Sequence, residues 1–130
     1  MTQKTTIIYL TGRPGFGKYT IAKEIASRFG YIVCDNQLIN NPIFELLQYN
    51  GYDKIPDLAW EAIGNIRKCI FTFLAKEKCN NHVLTNNLFE DSGDKACYGE
   101  VVNMAEVRNS LFVPIRLLVN QDEHLRRVTD

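Results

Sequence analysis

Apolar and polar positions along the chain alternate between strand-like and helix-like patterns. Thr5 to Leu10 (TTIIYL) is β-branched and aromatic, continuous rather than alternating, and closed by Thr11-Gly12, as expected of a strand buried on both faces. Ile21, Ala22, Ile25, Ala26 and Phe29 then recur at helical spacing until Gly30 supplies a stop. Tyr31 to Cys34 predicts a second short strand, ended by Asp35-Asn36. Pro42 to Tyr49 predicts a short helix with proline in its first turn, stopped by Asn50-Gly51. A longer helix opens at Pro56-Asp57 and runs to about Lys78, with Ala59, Ile63, Ile66, Ile70, Phe73 and Leu74 as its core stripe. His82 to Thr85 predicts a third strand, Asp94 to Asn109 a helix, and Leu111 to Val119 a fourth strand. Asp122 to Val128 starts a last helix.

The order β, α, β, α, α, β, α, β, α predicts an α/β fold, a parallel sheet with helices on both faces. Ligands of such sheets bind beyond the carboxyl ends of the strands. Thr11 to Lys18, Asp35 to Asn41, Asn86 to Asp91 and Asn120 onward therefore share one rim. No linker, repeat or low-complexity segment divides the 130 residues, so residues 1–130 read as one domain.

Fifteen Lys and Arg balance fifteen Asp and Glu, which gives no electrostatic support for nucleic acid or an anionic membrane as partner. The charge is nevertheless uneven. Residues 1 to 34 carry five bases and one acid, Glu24, so the N-terminal quarter suits an anion. The opening MTQKTTIIYLTG is too short in apolar residues for a signal peptide or membrane span, and a cytoplasmic location is expected. Cys34, Cys69, Cys79 and Cys97 form no C-x-x-C pair and are expected as reduced thiols.

Between the first strand and first helix stands Gly12-Arg13-Pro14-Gly15-Phe16-Gly17-Lys18-Tyr19-Thr20, which fits G-x-x-x-x-G-K in the context that motif requires. Glycines let backbone amides curl inward at the positive end of a helix, and Lys18 adds a full charge for β- and γ-phosphates. The position after the lysine is normally Ser or Thr, a Mg²⁺ ligand, and here it is Tyr19. A phenol cannot place its oxygen where a serine oxygen sits. Mg²⁺ is therefore expected through water, with Thr20 or Asp35 as the protein group beside it, or on an acidic residue elsewhere on the rim. Thr20 is better placed to contact the α-phosphate.

The glycine loop, the strand ending in Asp35 and the helix start at Asp122 to Arg127 resemble the P-loop small-molecule kinases, the branch of shikimate, gluconate and nucleoside-monophosphate kinases. The stretches GRPGFGKYTIA and CDNQLINNPIF are also similar to bacterial AAA-family or shikimate-kinase-like ATP-binding proteins. The resemblance implies a three-layer α/β/α sandwich with about four parallel strands in the order 2-3-1-4. It also implies ATP and Mg²⁺ as cofactors, transfer of the γ-phosphoryl group to a hydroxyl of a small-molecule acceptor, and three catalytic positions. These are Lys18, Asp35 facing the acceptor, and Arg127 as the first basic residue leading into a lid.

Against that family the chain is expected to lack the lid, fifth strand and closing helix. Tyr19 and this shortness leave open a degenerate kinase that binds nucleotide without turnover, as a sensor or partner protein. A toxin or antibiotic-modifying phosphotransferase shares the same loop. An Asp at a strand end serves equally as a turn or helix cap, and Arg126 and Arg127 equally as a solvated helix face. Asn36, Asn86 and Asn87 are candidate ligands for acceptor hydroxyls, since each amide pairs a donor with an acceptor, although loop asparagines are commonly structural. An exposed sheet edge would encourage two copies to pair.

Overall fold

The computed structural model describes residues 4–13, 17–87 and 92–118. Its elements are β1 (Thr6–Gly12), α1 (Lys18–Phe29), β2 (Ile32–Cys34), α2 (Gln37–Leu47), α3 (Asp57–Lys76), β3 (His82–Asn87), α4 (Ser92–Val107) and β4 (Leu111–Arg116). The four strands are all parallel and lie in the order β2-β3-β1-β4, as the resemblance implies.

Alternation along β1 assigns the two faces of the sheet. Ile7 and Tyr9 point to the side covered by α2, α3 and α4, where Ile39, Ile63, Phe71, Leu74, Val101 and Met104 complete the larger core. Ile8 and Leu10 point to the opposite side, where Ala22 and Ile25 of α1 pack with Val83. Burial of β1 on both faces accounts for its continuous apolar run. By contrast, β4 forms one edge of the described sheet with Pro114 in its middle, a position that edge strands tolerate.

Several boundaries shift from expectation, and two of these shifts bear on the site. Helix α2 begins at Gln37, five residues before Pro42, so the proline sits inside the helix. The amides of Leu38, Ile39 and Asn40 already bond to Asp35 and Asn36, and Ile39 anchors the early turn in the core. Strand β3 continues through Asn86 and Asn87, which pair with Thr11 and Gly12 of β1. The expected helix from Asp122, Val119 and Asn120 onward lie outside the described residues.

At the amino ends of the strands, polar groups are locked together. Thr5 and Ser110 hydroxyls meet at 2.6 Å, and the Thr6 amide donates to Asn81 Oδ1 at 2.7 Å. Arg108, 2% exposed, donates from Nη2 to the Asn80 carbonyl at 2.7 Å. Glu77 accepts from His82 Nε2 at 2.9 Å and lies 3.9 Å from Arg108 Nη2.

Candidate functional site

The carboxyl ends of β1, β2 and β3 bring the start of α1, the start of α2 and the two asparagines of β3 to one rim. Gly17 caps α1 with φ of 79°, a left-handed conformation that a side chain would strain, and the helix starts at the next residue. The first turn of α1 holds no acidic residue, which leaves the positive end of the helix free to meet an anion.

Lys18 is 8% exposed and folds back over its own loop, donating to the carbonyls of Gly12 at 3.0 Å and Arg13 at 3.1 Å. Burial lowers the Lys18 pKa, and the nearby Asp35 carboxylate offsets part of that effect. Asp35 in turn stands just past β2. Burial and then this same carboxylate push the Cys34 thiol up to about 11. One Asp35 oxygen, Oδ1, accepts the hydroxyl of Thr85, and the Thr85 oxygen accepts the Asn36 amide at 3.1 Å.

Two adjoining cavities open here and share Asn36, Asn40 and Asn87. The first, about 520 Å³, is lined by Gly17, Lys18, Tyr19, Thr20, Asp35 and neighbouring polar residues of α2. The second, about 410 Å³, runs under α3 between apolar walls that include Tyr9, Ile39, Trp60, Phe71 and Leu84. Arg67 is the one charged side chain on the described lining of that second cavity.

The structure thus gathers Gly17, Lys18, Tyr19, Thr20, Asp35, Asn36 and Asn87 around one opening, with Gly12 and Arg13 supplying carbonyls to Lys18. Asn86 lines the second cavity, but its amide is engaged within the protein. Nδ2 donates to Tyr9 Oη at 3.1 Å and Cys97 Sγ at 3.2 Å, while Oδ1 accepts the Asn87 amide at 2.9 Å. Pro14, Gly15, Phe16 and Arg127 lie outside the described residues. Tyr19 is half exposed, with Lys23 Nζ 5.4 Å from the ring centroid one helical turn along, a cation–π contact.

Two residues of the site escaped the sequence reading. Thr85 looks like any strand residue until its partner Asp35, just past β2, is known. Arg67 alone carried a signal, since Ile63, Arg67, Phe71 and Leu74 form one helical stripe in which a guanidinium replaces an apolar side chain.

Among the described residues no group of three or more His, Cys, Asp and Glu is placed to hold a metal ion, and no helix is long and apolar enough to cross a membrane.

No family model matches the chain, and no curated protein does. Solved structures match its fold. A candidate kinase from Chloroflexus aurantiacus superposes with a TM-score of 0.69 at 15% identity, over 99% of this chain and 68% of that one. Shikimate kinase from Bacteroides thetaiotaomicron gives 0.58 at 20% identity over 95% and 66%, and a gluconokinase from Sinorhizobium meliloti gives 0.61 at 16% over 97% and 65%. The chain thus spans about two thirds of the length of each of these proteins, with which it shares the α/β fold and the strand order.

Proposed function

We propose that this chain is an ATP-binding kinase-like protein that transfers the γ-phosphoryl group to a hydroxyl of a small-molecule acceptor. The observation that carries the reading is the placement of Lys18 and Asp35 on one polar opening, at a helix N-terminus, beside a second cavity of acceptor size. Amides of the 12–19 loop and the first turn of α1 would receive phosphate oxygens. Lys18 would leave its two carbonyl partners and neutralise charge on the transferring group. Asp35 would accept the acceptor's proton or hold a metal-bound water, with Asn87 and Asn36 binding other hydroxyls.

Mg²⁺ fits this site through water rather than directly. Asp35 is the single carboxylate on the described lining of the polar cavity, and Thr20 the single aliphatic hydroxyl. Bound there beside the phosphates, the ion would supply charge neutralisation between β- and γ-oxygens. Arg67 in the second cavity favours an acceptor that carries a carboxylate or phosphate besides its hydroxyl.

Calorimetric titration with ATP, ADP and GTP, with and without Mg²⁺, tests the reading. Binding that disappears in Lys18→Ala supports it, while no binding, or binding indifferent to that change, refutes it. Tyr19 in the metal-ligand position favours a second reading, nucleotide binding without turnover. Under that reading the protein binds ATP yet no metabolite gains a phosphate in a mass-spectrometric screen.

A further inference from the structure

Building on the nucleotide reading above, we propose that Thr85 is a positioning residue whose hydroxyl tethers the Asp35 carboxylate to β3 and keeps it from closing onto the Lys18 ammonium. Thr85 is 4% exposed, and its single hydroxyl serves two short bonds at once, with Asn36 Oδ1 a longer alternative acceptor at 3.5 Å. It accepts the Asn36 amide at 3.1 Å and donates to Asp35 Oδ1, an N–H···O–H···O⁻ chain in which each bond polarises the next. Asp35 is thereby held from the strand beside its own, while Oδ2 takes no hydrogen bond from the described residues.

The tether matters because of what stands opposite. Lys18 and Asp35 line the same cavity, with the ammonium bonded to the Gly12 and Arg13 carbonyls rather than to the carboxylate. Opposite charges in a partly buried pocket attract strongly, and an aspartate has only two side-chain torsions to restrain it. Freed from Thr85, the carboxylate would take the ammonium as its next partner. A lysine so paired has lost its charge for phosphate oxygens, and the anion beside it repels them. The Thr85 hydroxyl therefore keeps two opposite charges useful by keeping them apart, and leaves Oδ2 as the oxygen that faces acceptor or metal water.

A double-mutant cycle reads this directly, with metal-free ATP as the probe so that no turnover is needed. Thr85→Val keeps the shape of the side chain and removes the hydroxyl. It should weaken ATP about tenfold, the size expected for losing a hydrogen bond to a charged group, while Thr85→Ser binds as wild type. In an Asp35→Asn background, where no carboxylate can close on Lys18, Thr85→Val should change ATP affinity by less than about twofold. Equal weakening in both backgrounds, or none in either, overturns the proposal and leaves Thr85 a structural residue. Failure of wild-type protein to bind ATP refutes the nucleotide reading alone. The tether is then judged by NMR titration of the Lys18 side chain in ligand-free protein: in Thr85→Val it should move upward as an ion pair forms, and an unmoved titration overturns the proposal.

Discussion

The two ends of the sheet carry similar inventories of polar and charged groups, arranged to opposite effect. At the amino ends the buried Arg108 and His82 and the partly exposed Glu77 are held in contact with one another or with backbone carbonyls. Their cost is visible: among the described residues, His82 Nδ1 and the Nε and Nη1 of Arg108 have no hydrogen-bond partner. At the carboxyl ends Lys18 is buried as well, yet its partners are two carbonyls of the loop that it would leave for a phosphate. On the function proposed above, burying a charge serves assembly at one end of the sheet and recognition at the other. The distinction lies in whether the partners are locked in place or exchangeable for a ligand.

The sharpest way to break this comparison is at Arg108. Arg108→Ala should cost about 3 kcal/mol in urea unfolding, since it removes a buried cation from Glu77 and leaves a cavity. Arg108→Met fills the same slot without the two orphaned groups and should cost less than about 1.5 kcal/mol. Neither change should alter ATP affinity in the folded fraction. At the other end the pattern reverses. Lys18→Met should weaken ATP about fiftyfold with no loss of unfolding free energy, because a buried ammonium is exchanged for an apolar chain of similar length.

Titration separates the two ends further. The bond from His82 above all holds the Glu77 carboxyl below its usual range; burial opposes it, and lesser bonds from the Cys79 amide and Asn80 add to it. Its contribution is present above the ordinary carboxylate titration and is lost as pH falls through the lowered folded value. Between about pH 5 and pH 3 the melting temperature of wild-type protein should therefore fall more steeply than that of Glu77→Gln. Lys18 acts in the opposite, alkaline window. Its folded titration lies below the unfolded one, so the folded state holds fewer protons and stability rises with pH between the two values, a slope that Lys18→Met should remove. The smallest effect belongs to Tyr19→Ser, which should increase the Mg²⁺-dependent gain in ATP affinity about threefold by restoring a hydroxyl ligand.

Much of the fold was legible because burial on both faces writes itself into β1 as an unbroken apolar run, and α3 into a stripe at helical spacing, of which Phe73 is nevertheless exposed while Phe71 is buried in its place. Helix α2 was misplaced for a physical reason. Its first turn is made of Gln37, Asn40 and other polar residues that face the cavity, so only Leu38 and Ile39 signal a helix there. Pro42, a favoured first-turn residue, drew the boundary to itself. Asn86 and Asn87 looked like the close of a strand, whereas hydrogen bonding to Thr11 and Gly12 carries β3 through them. In the site, Lys18 and its glycines were readable because their spacing is local. Thr85 was not, since its meaning comes from pairing of Cys34 with Leu84, which only the folded sheet supplies.

The order β2-β3-β1-β4 also governs when the sheet can form. Strand β1 pairs with His82–Asn87 on one side and Leu111–Arg116 on the other, and with nothing earlier in the chain. During synthesis this strand, with its apolar run Ile7 to Leu10, therefore waits unpaired until some 75 further residues have emerged, the separation of Ile7 from its partner His82. Such long-range parallel pairing is slow, and until it occurs the strand is open to association with other chains. The loop that follows β1 shares this delay, so the proposed phosphate seat precedes in the chain both strands that complete the sheet beside it.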